Sequence, residues 1–253
     1  MFTVTPVRAF DDNYIWVLHQ DGRAVAVDPG EAGPLQAFLE ANDLLLQAVL
    51  ITHRHGDHVG GLPALTERWP QLAVYGPSTV PGITHSVEEG CSVPLFGQPF
   101  TVWAIPGHTR EHLAFVAPGH AFCGDTLFGA GCGRAFDGSV EALAASVARL
   151  GNLPAQTRLY PAHEYTLANL KFARAVEPDN AALTERWSAD TARRAQGQPT
   201  LPTTVEQEHA TNPFLRTGEP AVIAAASAWR AQPLSGATAV FAALRAWKDG
   251  FAG

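Results

Sequence analysis

Residues 47–61 read Gln47-Ala48-Val49-Leu50-Ile51-Thr52-His53-Arg54-His55-Gly56-Asp57-His58-Val59-Gly60-Gly61. The opening run is apolar and short, the pattern of a buried strand. It gives way at Thr52 to a loop crowded with histidines and one aspartate. Loops at strand ends are where layered α/β proteins carry their chemistry. Gly56 is expected to let this loop turn tightly. Gly60-Gly61 should let it pass close to other backbone before Leu62-Pro63-Ala64-Leu65 begins a helix. Imidazole and carboxylate donors without a thiolate suit zinc, iron or manganese. A structural zinc site is usually closed and rich in Cys. This stretch has no Cys and more donors than one tetrahedral ion needs, so an open catalytic site with two metals is expected.

Outward from this stretch, Phe2, Val4 and Val7 alternate with polar neighbours, as in a half-buried strand. Residues 14–18 and 24–27 read as two more strands around a Gln20-Asp21-Gly22-Arg23 turn. Pro34 stands where a helix would begin, with Leu35, Phe38 and Leu39 at helical spacing. Residues 73–75, 100–105, 113–116, 121–123 and 159–160 read as strands, and Val140, Leu143, Val147 and Leu150 mark a helix. Potential ligands recur just after such strands: His53 after Ile51, His108 after Ile105, Asp125 after Cys123 and His163 after Tyr160. The pattern suggests that separate strand ends converge at one edge of a layered structure. After Tyr165 the chain turns to Ala-rich helical segments at 167–176, 180–196 and 221–229. Two domains are therefore expected, 1–165 and a smaller all-helical 166–253, in an α+β chain.

The 253 residues are 46% hydrophobic and 16% charged, a globular balance. The formal net charge of −7 argues against nucleic acid or an anionic membrane as partner. A small anionic substrate needs only a few local Arg or Lys. Cys91, Cys123 and Cys132 are an odd set and read as free thiols in a reducing compartment. There is no secretory pattern at the N-terminus and no apolar run of membrane-spanning length, so a cytoplasmic enzyme, working as a monomer, is expected. Among the other polar residues, His112 reads as a support rather than a ligand. Asp28 reads equally as a brace for a ligand histidine or as a turn former. Cys123 and Cys132 read as small buried hydrophobes, and His19, His85, His120 and His209 as surface residues.

The spacing His53-x-His55-x-Asp57-His58 with Gly60-Gly61, followed in order by His108, Asp125 and His163, resembles the signature of the metallo-β-lactamase superfamily. That resemblance implies an αββα sandwich with metals at one edge of its two sheets. A narrower resemblance covers essentially the whole chain. Cys123-Gly124-Asp125-Thr126-Leu127-Phe128, Gly131-Cys132-Gly133-Arg134, His163-Glu164-Tyr165-Thr166 and Asn169-Leu170-Lys171-Phe172-Ala173 resemble the glyoxalase II (hydroxyacylglutathione hydrolase) family. So do Glu177-Pro178-Asp179-Asn180, Asn212-Pro213-Phe214-Leu215-Arg216 and Arg245-x-x-Lys248-Asp249-x-Phe251.

The family resemblance implies hydrolysis of S-(2-hydroxyacyl)glutathione thioesters such as S-D-lactoylglutathione, a step of methylglyoxal detoxification. It implies two divalent ions, zinc with iron or manganese as alternatives, sharing the attacking water. His53, His55 and His108 would hold one ion, Asp57, His58 and His163 the other, with Asp125 bridging. Asp57 and Asp125 would be the catalytic carboxylates, orienting the water and fixing the metal separation. Arg134, Tyr165, Arg245 and Lys248 match the family's glutathione contacts, and 166–253 would be the thioester-binding domain. Phe136 departs from the pattern, since some members carry an aromatic hydroxyl there. A mononuclear iron dioxygenase of glutathione persulfide shares the implied fold but lacks the long helical extension. A lactonase or β-lactamase is disfavoured by Arg245 and Lys248.

Overall fold

The computed structural model describes residues 2–251. The chain forms two compact units, one up to Ala104 with Glu111–Gly124, the other Ile105–Arg110 with Asp125 onward.

The first unit opens with an antiparallel meander of β1 (Thr3–Ala9), β2 (Asn13–Gln20) and β3 (Arg23–Val27). Helix α1 (Ala32–Ala41) then crosses over to β4 (Leu45–Leu50), which runs parallel to β3. The short helices α2 (Gly56–Val59) and α3 (Leu62–Arg68) lead to β5 (Ala73–Gly76) and β6 (His85–Ser86), which complete the sheet in sequence order. Alternation along β2 sends Ile15 and Val17 into a core shared with Leu35 and Leu39 of α1 and Leu62 and Leu65 of α3. A second, antiparallel meander follows: β7 (Ser92–Leu95), β8 (Gln98–Ala104), β9 (Leu113–Ala117) and β10 (His120–Gly124). Phe2 of the first sheet's edge packs on Phe100 of β8, ring centroids 5.7 Å apart.

The loop glycines divide. A Cβ on Gly60 would stand 2.7 Å from Gly30 O, and one on Gly61 2.4 Å from Pro29 O, so both positions are closed to side chains. Gly56 differs from expectation. It begins α2, and a Cβ there would meet nothing within 4 Å, so the loop does not require it.

The second unit begins with a two-strand hairpin, β11 (Leu127–Phe128) and β12 (Gly131–Cys132). Helix α4 (Val140–Gly151) is capped by Ser139, which accepts from Ala142 N. Strand β13 (Arg158–Pro161) pairs antiparallel with β14 (Thr203–Thr204). The helices are α5 (Thr166–Val176), α6 (Ala181–Ala195), α7 (Val205–Thr211), α8 (Pro220–Arg230) and α9 (Ala237–Asp249). Aromatic rings tie them together: Phe172 of α5 lies 6.2 Å from Phe214 and 5.4 Å from Trp247 of α9. No helix among the described residues is long and apolar enough to cross a membrane.

Candidate metal centre

The first unit supplies the His-rich loop, and Asp28 fixes its start. Asp28 ends β3 with φ of 51°, a left-handed conformation that Asp tolerates better than most residues. Its Oδ1 accepts the Thr52 N–H at 2.8 Å, and its Oδ2 accepts the Thr52 hydroxyl at 2.7 Å. The same Oδ2 stands 3.0 Å from His58 Nδ1. Asp28 therefore turns the chain and also stands against His58, one of the candidate donors. Thr52 Oγ1 has spent its proton on Asp28, so toward His53 Nδ1, 3.0 Å away, it accepts. That puts the proton on His53 Nδ1 and makes Nε2 the acceptor nitrogen of the ring. His53 Nε2 faces His55 Nδ1 at 3.0 Å. Two imidazole nitrogens about 2.0–2.1 Å from one ion stand close to that far apart. Asp57 Oδ2 lies 3.5 Å from His58 Nε2 and accepts Asn13 Nδ2 at 3.1 Å. His112 is buried and stacks on His53, centroids 4.6 Å apart.

The second unit carries candidate donors of its own. Asp125 Oδ2 lies 3.4 Å from both His108 Nε2 and His163 Nε2. His108 Nδ1 donates to the Arg134 carbonyl at 2.9 Å, because a carbonyl can only accept, so its Nε2 is the acceptor nitrogen. His163 is stacked flat on Tyr165, centroids 4.7 Å apart at 8°. All three donors are buried. The donor chemistry, imidazole and carboxylate with oriented lone pairs, fits divalent transition metals.

Residues 8–163 match the family model of the metallo-beta-lactamase superfamily, and residues 164–251 that of the hydroxyacylglutathione hydrolase C-terminus. The chain is 50% identical over 246 residues to a hydroxyacylglutathione hydrolase of Xanthomonas euvesicatoria pv. vesicatoria, covering 96% of both. It is 47% identical over 256 residues to one of Vibrio cholerae serotype O1, covering 99% of this chain and all (100%) of that one. The chain belongs to the hydroxyacylglutathione hydrolase family. A solved structure titled TTHA1623 in a di-iron-bound form is similar with a TM-score of 0.61 and 29% identity, covering 84% of this chain and 100% of that one. The fold is accordingly the α+β fold of the metallo-β-lactamase superfamily, here with a helical C-terminal region.

The four expected glutathione contacts differ in character. Arg134 is exposed, its Nε 3.3 Å from Asp249 Oδ1. Tyr165 is half-buried beside His163. Arg245 is buried, and its guanidinium is already engaged. Nη1 donates to the Cys132 and Gly133 carbonyls at 2.9 and 3.3 Å, and Nη2 to Asp249 at 3.0 Å. Only Nε has no partner among the described residues. Lys248 lies 5.3 Å from the centroid of the Phe172 ring, and burial, then the Arg245 charge, lowers its pKa to about 8. Phe136 is exposed and packs edge-on against His108.

Cys123 and Cys132 are buried, and burial pushes the Cys132 thiol up to about 11, which suits a small hydrophobe and not a nucleophile. Of the histidines expected at the surface, His85 is exposed, but His19 and His120 are half-buried. His19 bonds the Thr5 hydroxyl, His120 packs on Phe2, and exposed His209 donates to Gly151 O at 2.8 Å. Asn13 is the site residue that sequence reasoning missed. A buried Asn opening a strand carries no periodic signal, and only its bond to Asp57 reveals it.

Proposed function

We propose that this chain hydrolyses S-(2-hydroxyacyl)glutathione thioesters, such as S-D-lactoylglutathione, to glutathione and a 2-hydroxy acid. In this reading His53, His55 and His108 hold one divalent ion, and Asp57, His58 and His163 the other, with Asp125 shared. The single observation that carries it is Asp125 Oδ2, which has two imidazole nitrogens aimed at it at the same 3.4 Å, the disposition of a bridging carboxylate. When bound, two such ions would supply an acidified water and a Lewis acid for the thioester carbonyl. Zinc, iron and manganese all suit the donors.

The chain's own residues do the rest. Asn13 holds Asp57 Oδ2, so that carboxylate is orientated before substrate arrives. Thr52 and the Arg134 carbonyl fix the tautomers of His53 and His108. The leaving thiol has a free pKa of about 8.5, so departure needs no strong general acid. Residues 1–165 are read as the catalytic region and 166–253 as the thioester-binding region. Arg134, Tyr165 and Lys248 would face the glutathione part, and Arg245 chiefly orders the Cys132-Gly133 backbone beside them. The free thiols of all three cysteines fit a reducing, cytoplasmic setting. The test is steady-state hydrolysis of S-D-lactoylglutathione with metal content measured on the same preparation. Turnover that tracks about two metals per chain is expected; full activity with no metal would refute the reading.

A further inference from the structure

Three features of the second unit have no part in the chemistry above: Asn169 of α5, Asn212 after α7, and the fully buried carboxylate of Glu208 in α7. All three end on the tip of the β11–β12 hairpin. Glu208 Oε2 accepts the Ala130 N–H at 2.8 Å. Asn212 Nδ2 donates to Gly131 O at 2.9 Å and to the same Glu208 oxygen at 2.8 Å. Asn169 Nδ2 donates to Gly129 O at 2.9 Å. Ala130 itself sits at φ of 54°, a left-handed conformation that a residue with a Cβ adopts only when its surroundings impose it. There is no slack at the tip: a Cβ on Gly129 would stand 2.4 Å from Thr166 Oγ1, and one on Gly131 2.5 Å from Asn169.

Glu208 is held from behind. Its Oε1 lies 2.8 Å from Arg186 Nη1 and accepts the Thr203 hydroxyl at 2.7 Å. Arg186 in turn reaches Asp190 at 3.3 Å and the Thr211 hydroxyl. A buried ion pair is a costly way to gain stability, and well-packed apolar side chains would serve as well or better. What it supplies is a fixed acceptor at one point in space. The hairpin needs that, because a two-stranded ribbon this short has no stability of its own.

The hairpin is also where this unit's metal donors are set. Asp125 precedes β11, and Gly133-Arg134 follow β12. The two flanks are locked: Gly133 N–H donates to Thr126 O at 3.2 Å, and a Cβ on Gly133 would lie 2.0 Å from Asp125 O. The Arg134 carbonyl fixes His108 Nδ1. We infer that Glu208 is a positioning residue: its buried carboxylate, backed by Arg186 and seconded by Asn169 and Asn212, sets the β11–β12 hairpin in the register that aims Asp125 and His108 at their metals. The inference rests on the reading of Asp125 and His108 as ligands.

The test compares zinc affinity of the metal-stripped wild type, Glu208→Gln and Glu208→Met by competition with a chelator. Circular dichroism and thermal melting of the metal-free forms run alongside. Both substitutions remove the charge and leave Arg186 with Asp190. Gln keeps an oxygen for the Ala130 N–H, and Met fills similar space without one. Glu208→Met is expected to lose about tenfold or more in zinc affinity, the order of effect seen when a group that orients a ligand is removed. Glu208→Gln should stay within about threefold of wild type, a rescue that a purely structural role does not predict. Equal affinities in all three proteins would overturn the inference, whatever their melting temperatures. If Glu208→Met does not fold, Asn169→Ala takes its place; it removes the donor to Gly129 O, and an unchanged zinc affinity would overturn the inference equally. A wild type that binds no zinc is a different result and would overturn the metal reading itself.

Discussion

Lys248 makes the most quantitative demand on the proposed function. Burial, followed by the neighbouring Arg245 guanidinium, brings its pKa from 10.5 down to about 8. Below about pH 7 the ammonium is present and can hold a glutathione carboxylate; as pH rises through 8 it is lost. A charge-assisted hydrogen bond contributes roughly 1.5–3 kcal/mol, about 10–150-fold in affinity. KM for a glutathione thioester should therefore be flat from about pH 6 to 7 and rise about tenfold or more by about pH 9.5. The turnover number should change less, since the contact serves ground and transition states alike. A bound carboxylate favours the ammonium, so the midpoint falls at or above 8. Lys248→Arg keeps its charge throughout and should flatten the profile; Lys248→Met should give a high KM at every pH. Stability supplies a second readout. The folded-state pKa lies below the unfolded value, so the native chain binds this proton more weakly. That penalises it below pH 8 by at most about 3 kcal/mol, less what solvent screening removes, and the penalty fades between pH 8 and 10.5. Urea melts should show Lys248→Met gaining on wild type at pH 7 and losing that advantage at pH 10.5. A wild-type KM that stays flat to pH 9.5 after correction for background hydrolysis would remove Lys248 from the glutathione site.

Three further outcomes are expected. Asp125→Asn nearly keeps the shape but supplies a poor bridging donor, so elemental analysis should show at least one metal lost, with activity; both metals retained at wild-type turnover would mean that Asp125 is misassigned. Asp28→Ala leaves Thr52 without its acceptor and removes the carboxylate 3.0 Å from His58 Nδ1; metal affinity should fall about 10–100-fold, measured by chelator competition. Gly61→Ala would force a Cβ to 2.4 Å from Pro29 O; a loss of roughly 1–3 kcal/mol in urea denaturation is expected, whereas Gly56→Ala, with nothing within 4 Å, should be near neutral.

The candidate donors were legible because they follow a simple pattern: a strand of apolar residues, then donors in order. Gly60 and Gly61 were legible for the same reason, since they follow the donors at once. Gly56 was over-read, because a glycine in a loop looks alike whether or not backbone passes nearby. Helix α7 carries only Val205 as a large apolar residue, so it offers no stripe to recognise. The two-residue strands of β11 and β12 are too short to show a period. Arg245 shows the deeper limit. Its place on a helix follows from sequence, but its hydrogen-bond acceptors are carbonyls of Cys132 and Gly133, more than a hundred positions away, and carbonyls have no sequence identity. Asn13 and Glu208 were invisible for the same reason: each acts through a partner distant in the chain.

The discontinuity of the two compact units bears on the order of events during synthesis. The first unit is complete once Gly124 has been made, and its His-rich loop emerges well before that. The second cannot close until α9 is made, because Arg245 of that helix secures the Cys132-Gly133 backbone. Domains fold as units while the chain grows by roughly 5–20 residues per second. At that rate the stretch from Gly124 to Arg245 takes several seconds, so the first unit can fold well before the second is able to close.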